Sequence, residues 1–171
     1  MRADEDAAQR RTADIYRQYQ ASRPADRNDL LNNPQVLFQS LAGRRAWIEA
    51  LRGQSRGERV LDVGGGGGGE LSLLLDLGFR AELLSMVDIL PDRIESARLR
   101  FPAVDIRCSD ARQLPWPDGF FDVVIEGSMF LQITDETQAI EIATEMVRVT
   151  RPGGQLLIAD WRYDGGRGSF R

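Results

Sequence analysis

The chain of 171 residues has 42% hydrophobic and 28% charged residues, and its 22 basic and 26 acidic residues leave a net charge of −4. This ordinary globular balance predicts one folded domain and excludes a disordered or fibrous chain. The acidic balance also argues against a nucleic-acid partner, because binding along a phosphate backbone needs a surplus of cations.

Two residue types are absent from the sequence and narrow its chemistry. There is no histidine, and all 22 basic residues are arginine. Ser–His and Cys–His nucleophile pairs, Schiff-base lysines and a P-loop lysine are therefore excluded. The single cysteine, Cys108, can form neither an internal disulfide nor a multi-thiolate centre, and we predict no metal site. An enzyme of this composition is expected to leave the difficult chemistry to a cofactor.

The amino-terminal residues MRADEDAAQR have acids where a signal peptide has a basic and then an apolar stretch. No apolar run approaches the length of about 18 residues that a membrane helix needs. We therefore expect a soluble, cytoplasmic protein with no membrane partner.

Residues 1–57 are predicted to form a helical amino-terminal extension rather than a second domain. Apolar residues recur at helical spacing around Tyr16 and Tyr19, and again from Val36 to Leu51. The two tyrosines are expected to pack, and closing over a pocket is the alternative. The apolar face of the second helix is predicted to contain Leu37, Leu41, Ala46, Trp47 and Leu51.

Residues 58–171 alternate short apolar runs with helical segments. The predicted strands are Val60–Val63, Ala81–Val87, Val104–Cys108, Phe121–Ile125 and Leu156–Ala159. Helices are expected after the six glycines at 64–69, from Pro91 to Arg100, and from a cap at Asp135 to Val149. This pattern predicts an α/β fold of the doubly wound, Rossmann-like kind, with a mainly parallel sheet and helices on both faces.

Acidic residues follow the predicted strands, where a parallel sheet binds its ligands. They are Asp88, Asp110, Glu126 and Asp160, and Asp62 lies just before the glycine run. Glycines between a strand and a helix allow a close approach of the backbone to a ligand and present the helix amino terminus to it.

Four motifs in order carry a family resemblance over about residues 58–162. They are VLDVGGGGGGE, VDILPDRIESAR, CSDARQLPWPDGFFDVV and VTRPGGQLLIAD. Together they resemble the class I S-adenosylmethionine-dependent methyltransferases, especially the small-molecule subgroup often called type 11. The resemblance implies S-adenosyl-L-methionine as cofactor and a small-molecule acceptor whose identity the sequence does not reveal.

The resemblance also implies roles for individual residues. The first motif matches at Asp62, Gly64, Gly66 and Gly68. Asp88 would hold the ribose hydroxyls with Ile89 against the adenine, while Asp110 would accept from the adenine amino group and Ala111 would offer its backbone amide. Asp62 has an alternative role in holding the glycine turn.

Glu126 is the candidate catalytic residue, as a proton acceptor or as an electrostatic partner of the sulfonium or of a substrate amine. Among the remaining residues, Asp122 is expected to be structural and Cys108 an inert core thiol. Trp116, Phe130 and Trp161 are expected to pack, and Asp160 to face either the substrate opening or the surface.

Two other functions stay open at this point. Gly64, Gly66 and Gly69 also fit a dinucleotide fingerprint and hence a nicotinamide-dependent oxidoreductase, although Asp62 would lie where a pyrophosphate binds. The resemblance further implies a helix and a strand pair beyond the fifth strand, which this sequence does not contain. The chain would then be a cofactor-binding module that is inactive alone, with an exposed edge at Leu156–Ala159 open to a homodimer or a complementing chain.

Overall fold

The computed structural model describes residues 14, 17, 18, 29–133 and 135–160. Tyr16, Tyr19 and Trp161 lie outside these residues. The helices are α1 (Pro34–Ala50), α2 (Gly69–Asp76), α3 (Pro91–Arg100) and α4 (Glu136–Val149). The strands are β1 (Val60–Val63), β2 (Leu84–Asp88), β3 (Asp105–Cys108), β4 (Phe121–Gly127) and β5 (Thr150–Ala159).

The five described strands form one parallel sheet in the order β3-β2-β1-β4-β5. The chain starts in the middle with β1, adds β2 and β3 on one side, and then crosses to β4 and β5 on the other. Strand order therefore reverses between β1 and β4, where loops leave the sheet in opposite directions and open a crevice. The predicted doubly wound Rossmann-like fold is confirmed.

Both faces of the sheet are covered by helices, as an all-parallel sheet requires. Every residue of β1 and β2 is buried, in agreement with their mainly apolar sequences. One core packs α1, α2 and α3 against the sheet, and the other packs α4 and the segment before β4 against the opposite face.

Capping residues begin two of the helices where the sequence indicates. The Asn33 side chain accepts the Val36 amide at 3.2 Å before α1, and Pro34 occupies the first turn. The predicted cap at Asp135 is confirmed, because its carboxylate accepts the Thr137 amide at 2.9 Å at the start of α4.

The predicted inward face of α1 is only partly right. Trp47 and Leu51 are buried, but Leu37 is 40% and Leu41 59% exposed. In α2, Leu71, Leu73 and Leu74 are buried, and Leu75 is half-buried against the same core. Among the described residues, only the carboxyl-terminal end of α1 contributes side chains to the core. The apolar residues earlier in the helix have no described core to pack against.

Two strands, β2 and β5, begin three or more residues away from their predicted first residues. The segment Ala81–Leu83 forms a 3-10 turn, and β2 begins after it. β5 begins at Thr150 because the residues 151–154, expected to end α4 and lie outside the sheet, form a bulge instead. The register with β4 accordingly jumps from Phe121–Thr150 to Val123–Gln155.

The edges of the sheet bear on two further predictions. Cys108 ends β3 and is exposed, so the prediction of a core thiol is wrong, because β3 has a neighbouring strand on one side only among the described residues. On the other side, β5 pairs with β4 alone among the described strands, and Ile158 is 50% exposed.

No helix in the described part of the chain is both long and apolar enough to cross a membrane.

Candidate cofactor site

The glycine run joins β1 to α2 at the crevice. Its first two amides, from Gly64 and Gly65, donate to the Val87 carbonyl of β2 at 2.8 and 3.2 Å. Gly64, Gly66 and Gly68 have φ angles of 75°, 56° and 79°, in the left-handed region that favours glycine. These are the three glycines that match the first motif, and the other three in the run have ordinary φ angles.

One glycine with an ordinary φ angle is required for a different reason. A Cβ atom on Gly65 would lie 2.5 Å from Asp62 Oδ2 and 2.5 Å from Met86 Cγ. The same atom on Gly67 would meet nothing within 4 Å. The turn therefore lies directly against the Asp62 side chain, which gives that residue a part in shaping the turn.

Asp88 connects β2 to the glycine turn. Its Oδ2 accepts the Gly66 amide and its Oδ1 accepts the Leu90 amide, each at 2.9 Å. Burial raises the pKa of this carboxyl, while these backbone hydrogen bonds and the Arg93 charge oppose the rise. Each oxygen keeps a further lone pair, so the ribose role assigned to Asp88 is geometrically compatible with both amide bonds.

Three side chains from β1, α2 and β4 form what we call the carboxylate cluster: Asp62, Glu70 and Glu126. Asp62 is 1% exposed and Glu126 is fully buried. Asp62 Oδ2 and Glu126 Oε2 have no hydrogen-bond partner among the described residues. Since a buried carboxylate oxygen normally has a partner, these two point to a cationic or hydrogen-donating ligand.

The pKa values of the cluster respond to burial and to mutual repulsion. Burial raises the pKa of Asp62 well above its usual range, and the charges of Glu70, Asp88 and Glu126 raise it further. Burial likewise raises the pKa of Glu70, against a hydrogen bond from the Trp47 side chain. Through Trp47, α1 is tied to the site.

A turn after β4 holds Glu126 in place. Its Oε1 accepts the backbone amides of Met129 and of Phe130, the latter at 3.3 Å. Ser128 has a φ of 68°, which is uncommon for a residue with a side chain and lets the chain fold back toward the carboxylate. Burial raises the pKa of Glu126 to about 7, and the charges of Asp160 and Glu70 contribute.

Asp160 follows β5 and lies beside Glu126. Its Oδ1 is buried without a hydrogen-bond partner in the described part of the chain, and burial raises the pKa of the carboxyl. Of the two positions expected for Asp160, the one at the opening of the site agrees with this contact, rather than an isolated surface position.

The adenine end assigned to Asp110 contains an arginine that sequence reasoning missed. Asp110 Oδ2 accepts from Arg112 at 2.6 and 3.0 Å, and Oδ1 accepts the Arg112 amide at 2.9 Å. Arg112 therefore fixes the orientation of this carboxylate. Ile89 and Ala111 are half-buried nearby in sequence, and their predicted contacts with the adenine stay predictions.

Two residues assigned structural roles have them. Asp122 accepts the Arg59 amide at 2.8 Å and pairs with Arg151 at 2.5 Å near the amino end of β4, the end opposite to the site. Trp116 is buried and donates to Asp105 at 3.1 Å. Both predictions are confirmed.

Sequence reasoning also missed Glu70 and its partner Trp47. Glu70 is the last letter of the quoted first motif, immediately after the glycines, and a helix that begins with an acid often does so only to complement its dipole. A Cβ on Gly127 would lie 3.1 Å from Glu70 Oε1 and 3.6 Å from Trp47 Cζ2, which places the pair against the end of β4. No feature of the sequence links α1 to this position.

The raised pKa values predict that the protein loses stability as the pH rises from 5 to 8. In the folded chain Glu126 keeps its proton up to about pH 7, whereas in the unfolded chain it loses the proton above pH 4.5. This difference stabilises the folded chain fully below pH 4.5, and the stabilisation is lost as the pH rises through about 7. The shift of Glu126 alone corresponds to about 3 kcal/mol. With no histidine to titrate in this window, we expect the melting temperature to fall by about 5–10 °C.

Thermal unfolding of the ligand-free chain at constant ionic strength measures this effect. The Glu126→Gln variant should show a flatter profile, because the amide does not titrate. A melting temperature that rises between pH 5 and pH 8 would contradict the assignment.

The sheet order, the left-handed glycine turn and the acids at the ends of β1, β2 and β4 define the class I S-adenosylmethionine-dependent methyltransferase architecture. Residues 61–158 match the family described as Methyltransferase domain. The chain belongs to this family.

Relatives agree with this assignment. The chain is 35% identical over 137 residues to a demethylmenaquinone methyltransferase of Beutenbergia cavernae, which covers 80% of this chain and 54% of that protein. It thus spans about half the length of the curated relatives it matches. The PH0226 protein of Pyrococcus horikoshii has a TM-score of 0.57 at 29% identity, covering 67% of this chain and 56% of that one.

The fold extends to more distant enzymes. A Haemonchus contortus phosphoethanolamine N-methyltransferase, solved with phosphoethanolamine and S-adenosylhomocysteine, has a TM-score of 0.72 at 17% identity. It covers 95% of this chain and 34% of that one. This likeness concerns the fold.

The residues present fit S-adenosylmethionine. The unpartnered oxygens of Asp62 and Glu126 suit the cationic methionyl end, and Asp88 can accept from a ribose diol. A dinucleotide pyrophosphate would instead meet buried carboxylates at the start of α2, so the electrostatics oppose the oxidoreductase alternative. Among the described residues, no group of potential ligands is arranged to hold a metal ion.

Proposed function

We propose that this chain transfers a methyl group from S-adenosylmethionine to a small-molecule acceptor, with a hydroquinone as the first acceptor class to test. The carboxylate cluster beside the glycine turn is the observation that carries the proposal. The acceptor class is suggested by the name of a Synechocystis relative, a 2-methyl-6-phytyl-1,4-hydroquinone methyltransferase, and the Beutenbergia cavernae relative is named for a quinone. The predicted cytoplasmic location stays part of this proposal.

Each predicted residue has a place in this proposal. When bound, the cofactor supplies an electrophilic methyl group. Asp88 and Ile89 hold the ribose and one face of the adenine, while Asp110 and Ala111 hold the adenine edge. The glycine turn at Gly64, Gly66 and Gly68 allows close approach of the backbone.

Asp62 and Glu126 face the cationic end of the cofactor. Glu126 combines an oxygen fixed by two backbone amides with a second oxygen that has no partner in the described part of the chain. Because its pKa is about 7, it can also take the proton that a phenolic acceptor loses at neutral pH. Alignment of the two reactants supplies much of the acceleration in such a transfer.

A labelled-methyl assay tests this function. The chain is incubated with S-adenosylmethionine labelled in the methyl group and with a water-soluble naphthohydroquinone, a phenol or an amine. Label in the hydroquinone, and loss of transfer with Glu126→Gln, is the expected result. A chain that binds the cofactor but transfers to none of these acceptors would favour the alternative of a module that is inactive alone.

Strand β5 carries the proposal about partners. Its outer edge lacks a partner among the described strands, and the side chain of Ile158 in this strand is half exposed. This combination favours pairing with another strand. We expect the chain to dimerise through this edge at high concentration, and Ile158→Lys to weaken the dimer. Sedimentation velocity over a range of concentrations measures this, and a clean monomer at the highest concentration would contradict it.

A further inference from the structure

The carboxylate cluster brings several acidic side chains together in a buried site, where their ionised forms repel one another. Glu126 is faced by Asp62 from β1, by Glu70 from α2 and by Asp160 after β5. The arginines of α1 lie elsewhere, since Arg44 pairs with Asp76 and Arg45 with Glu49, both at 3.0 Å or less. Repulsion among buried carboxylates is relieved by binding a proton or a cation.

Glu126 cannot avoid this repulsion by rotating away. Its Oε1 is held by the amides of Met129 and Phe130, which the left-handed Ser128 turn directs back toward it. The other oxygen, Oε2, is buried without a partner in the described part of the chain. The side chain is thus fixed with one oxygen available either to a proton or to a positively charged ligand group.

The two cofactor forms differ in the charge that this cluster would meet. S-adenosylmethionine has a sulfonium, whereas its product S-adenosylhomocysteine has a neutral thioether, and both share the same ribose, adenine and amino-acid groups. The nucleoside half of the site treats them alike. Only a group that responds to the sulfonium charge can separate them.

We propose that the carboxylate cluster discriminates between the cationic cofactor and its neutral product by exchanging one proton at Glu126. With the cationic form bound, Glu126 is a carboxylate and its proton has passed to the solvent. With the neutral form bound, Glu126 takes a proton back from the solvent. This inference rests on the cofactor site proposed above.

The exchange has a measurable pH dependence. Because the Glu126 pKa of about 7 lies in the middle of the range, the affinity for S-adenosylmethionine relative to S-adenosylhomocysteine should rise about tenfold from pH 6 to pH 8. The amino-acid ammonium is common to both ligands and cancels in this ratio. Sinefungin, which has an amine at the position of the sulfonium methyl, should behave like the cationic form.

Calorimetric titration of the full chain with the three ligands at pH 6, 7 and 8 tests the proposal. Buffers with different ionisation enthalpies give the number of protons released, which should approach one below pH 7 for the cationic ligands and be smaller for S-adenosylhomocysteine. The wild-type measurement needs no variant and therefore does not depend on whether a substituted chain folds.

Glu126→Gln keeps the two amide contacts possible but removes the titrating group, so its affinity ratio should not change with pH. Glu95→Gln, on the exposed side of α3, is the matched control and should keep the wild-type dependence. Binding of all ligands with a constant ratio would overturn this inference alone, as would a pH-dependent ratio in Glu126→Gln. No binding of any ligand by the folded chain would overturn the proposed cofactor site as well.

Discussion

Replacing Asp88 with alanine is expected to raise the Kd for S-adenosylmethionine about 100-fold or more. Two charge-assisted hydrogen bonds to the ribose contribute about 1.5–3 kcal/mol each, and each 1.4 kcal/mol corresponds to about a factor of ten. The substitution also removes the acceptors of the Gly66 and Leu90 amides, so the glycine turn loses its side-chain connection to β2 and keeps only the backbone bonds to Val87. Calorimetric titration measures the affinity.

Asp92→Ala is the matched control, since Asp92 is an exposed acid in the first turn of α3. Its affinity should stay within about twofold of the wild type, because it contributes only a weak surface interaction. Circular dichroism establishes that both variants are folded. A folded Asp88→Ala chain with wild-type affinity would contradict the ribose assignment.

Substituting alanine for Gly65 is expected to lower the free energy of unfolding by about 1–3 kcal/mol, the usual result of overpacking. The new Cβ would lie 2.5 Å from Asp62 Oδ2 and from Met86 Cγ, and both atoms belong to buried side chains. Because Asp62 must then move, affinity for S-adenosylmethionine should fall as well. Urea unfolding and calorimetric titration measure the two effects.

Gly67→Ala, two residues further along, serves as the control because its Cβ would meet nothing within 4 Å and its φ is ordinary. Its unfolding free energy should change by less than about 0.5 kcal/mol, as is usual for a substitution without contacts. Equal effects at the two positions would show that the close approach of the turn to Asp62 does not matter.

The helices and strands of the sheet could be predicted because the spacing of their apolar residues and the residue types at their ends agree with the tertiary structure. The central strands are short apolar runs, and α3 begins at Pro91 and ends at Arg100 as predicted. The prediction was wrong where packing overrides a local signal. The residues 151–154 look like a turn, yet they form a bulge inside β5, and the pairing with β4 resumes at Gln155.

The site residues that could be predicted are those whose positions follow from the ends of the strands. Asp62, Asp88 and Glu126 could be placed at one edge because parallel strands share an orientation. Interactions between distant segments could not be predicted, such as Trp47 with Glu70 or the amides that hold Glu126. Nor does spacing reveal that Arg112 engages Asp110, since neighbouring opposite charges are common on protein surfaces.

Calorimetric titration of the purified chain with S-adenosylmethionine, S-adenosylhomocysteine and NAD tests the central claim most directly. We predict micromolar binding of both sulfur nucleosides at one site, no detectable binding of NAD, and loss of the nucleoside binding in Asp88→Ala. Binding of NAD alone would contradict the account, and so would a folded chain that binds none of the three.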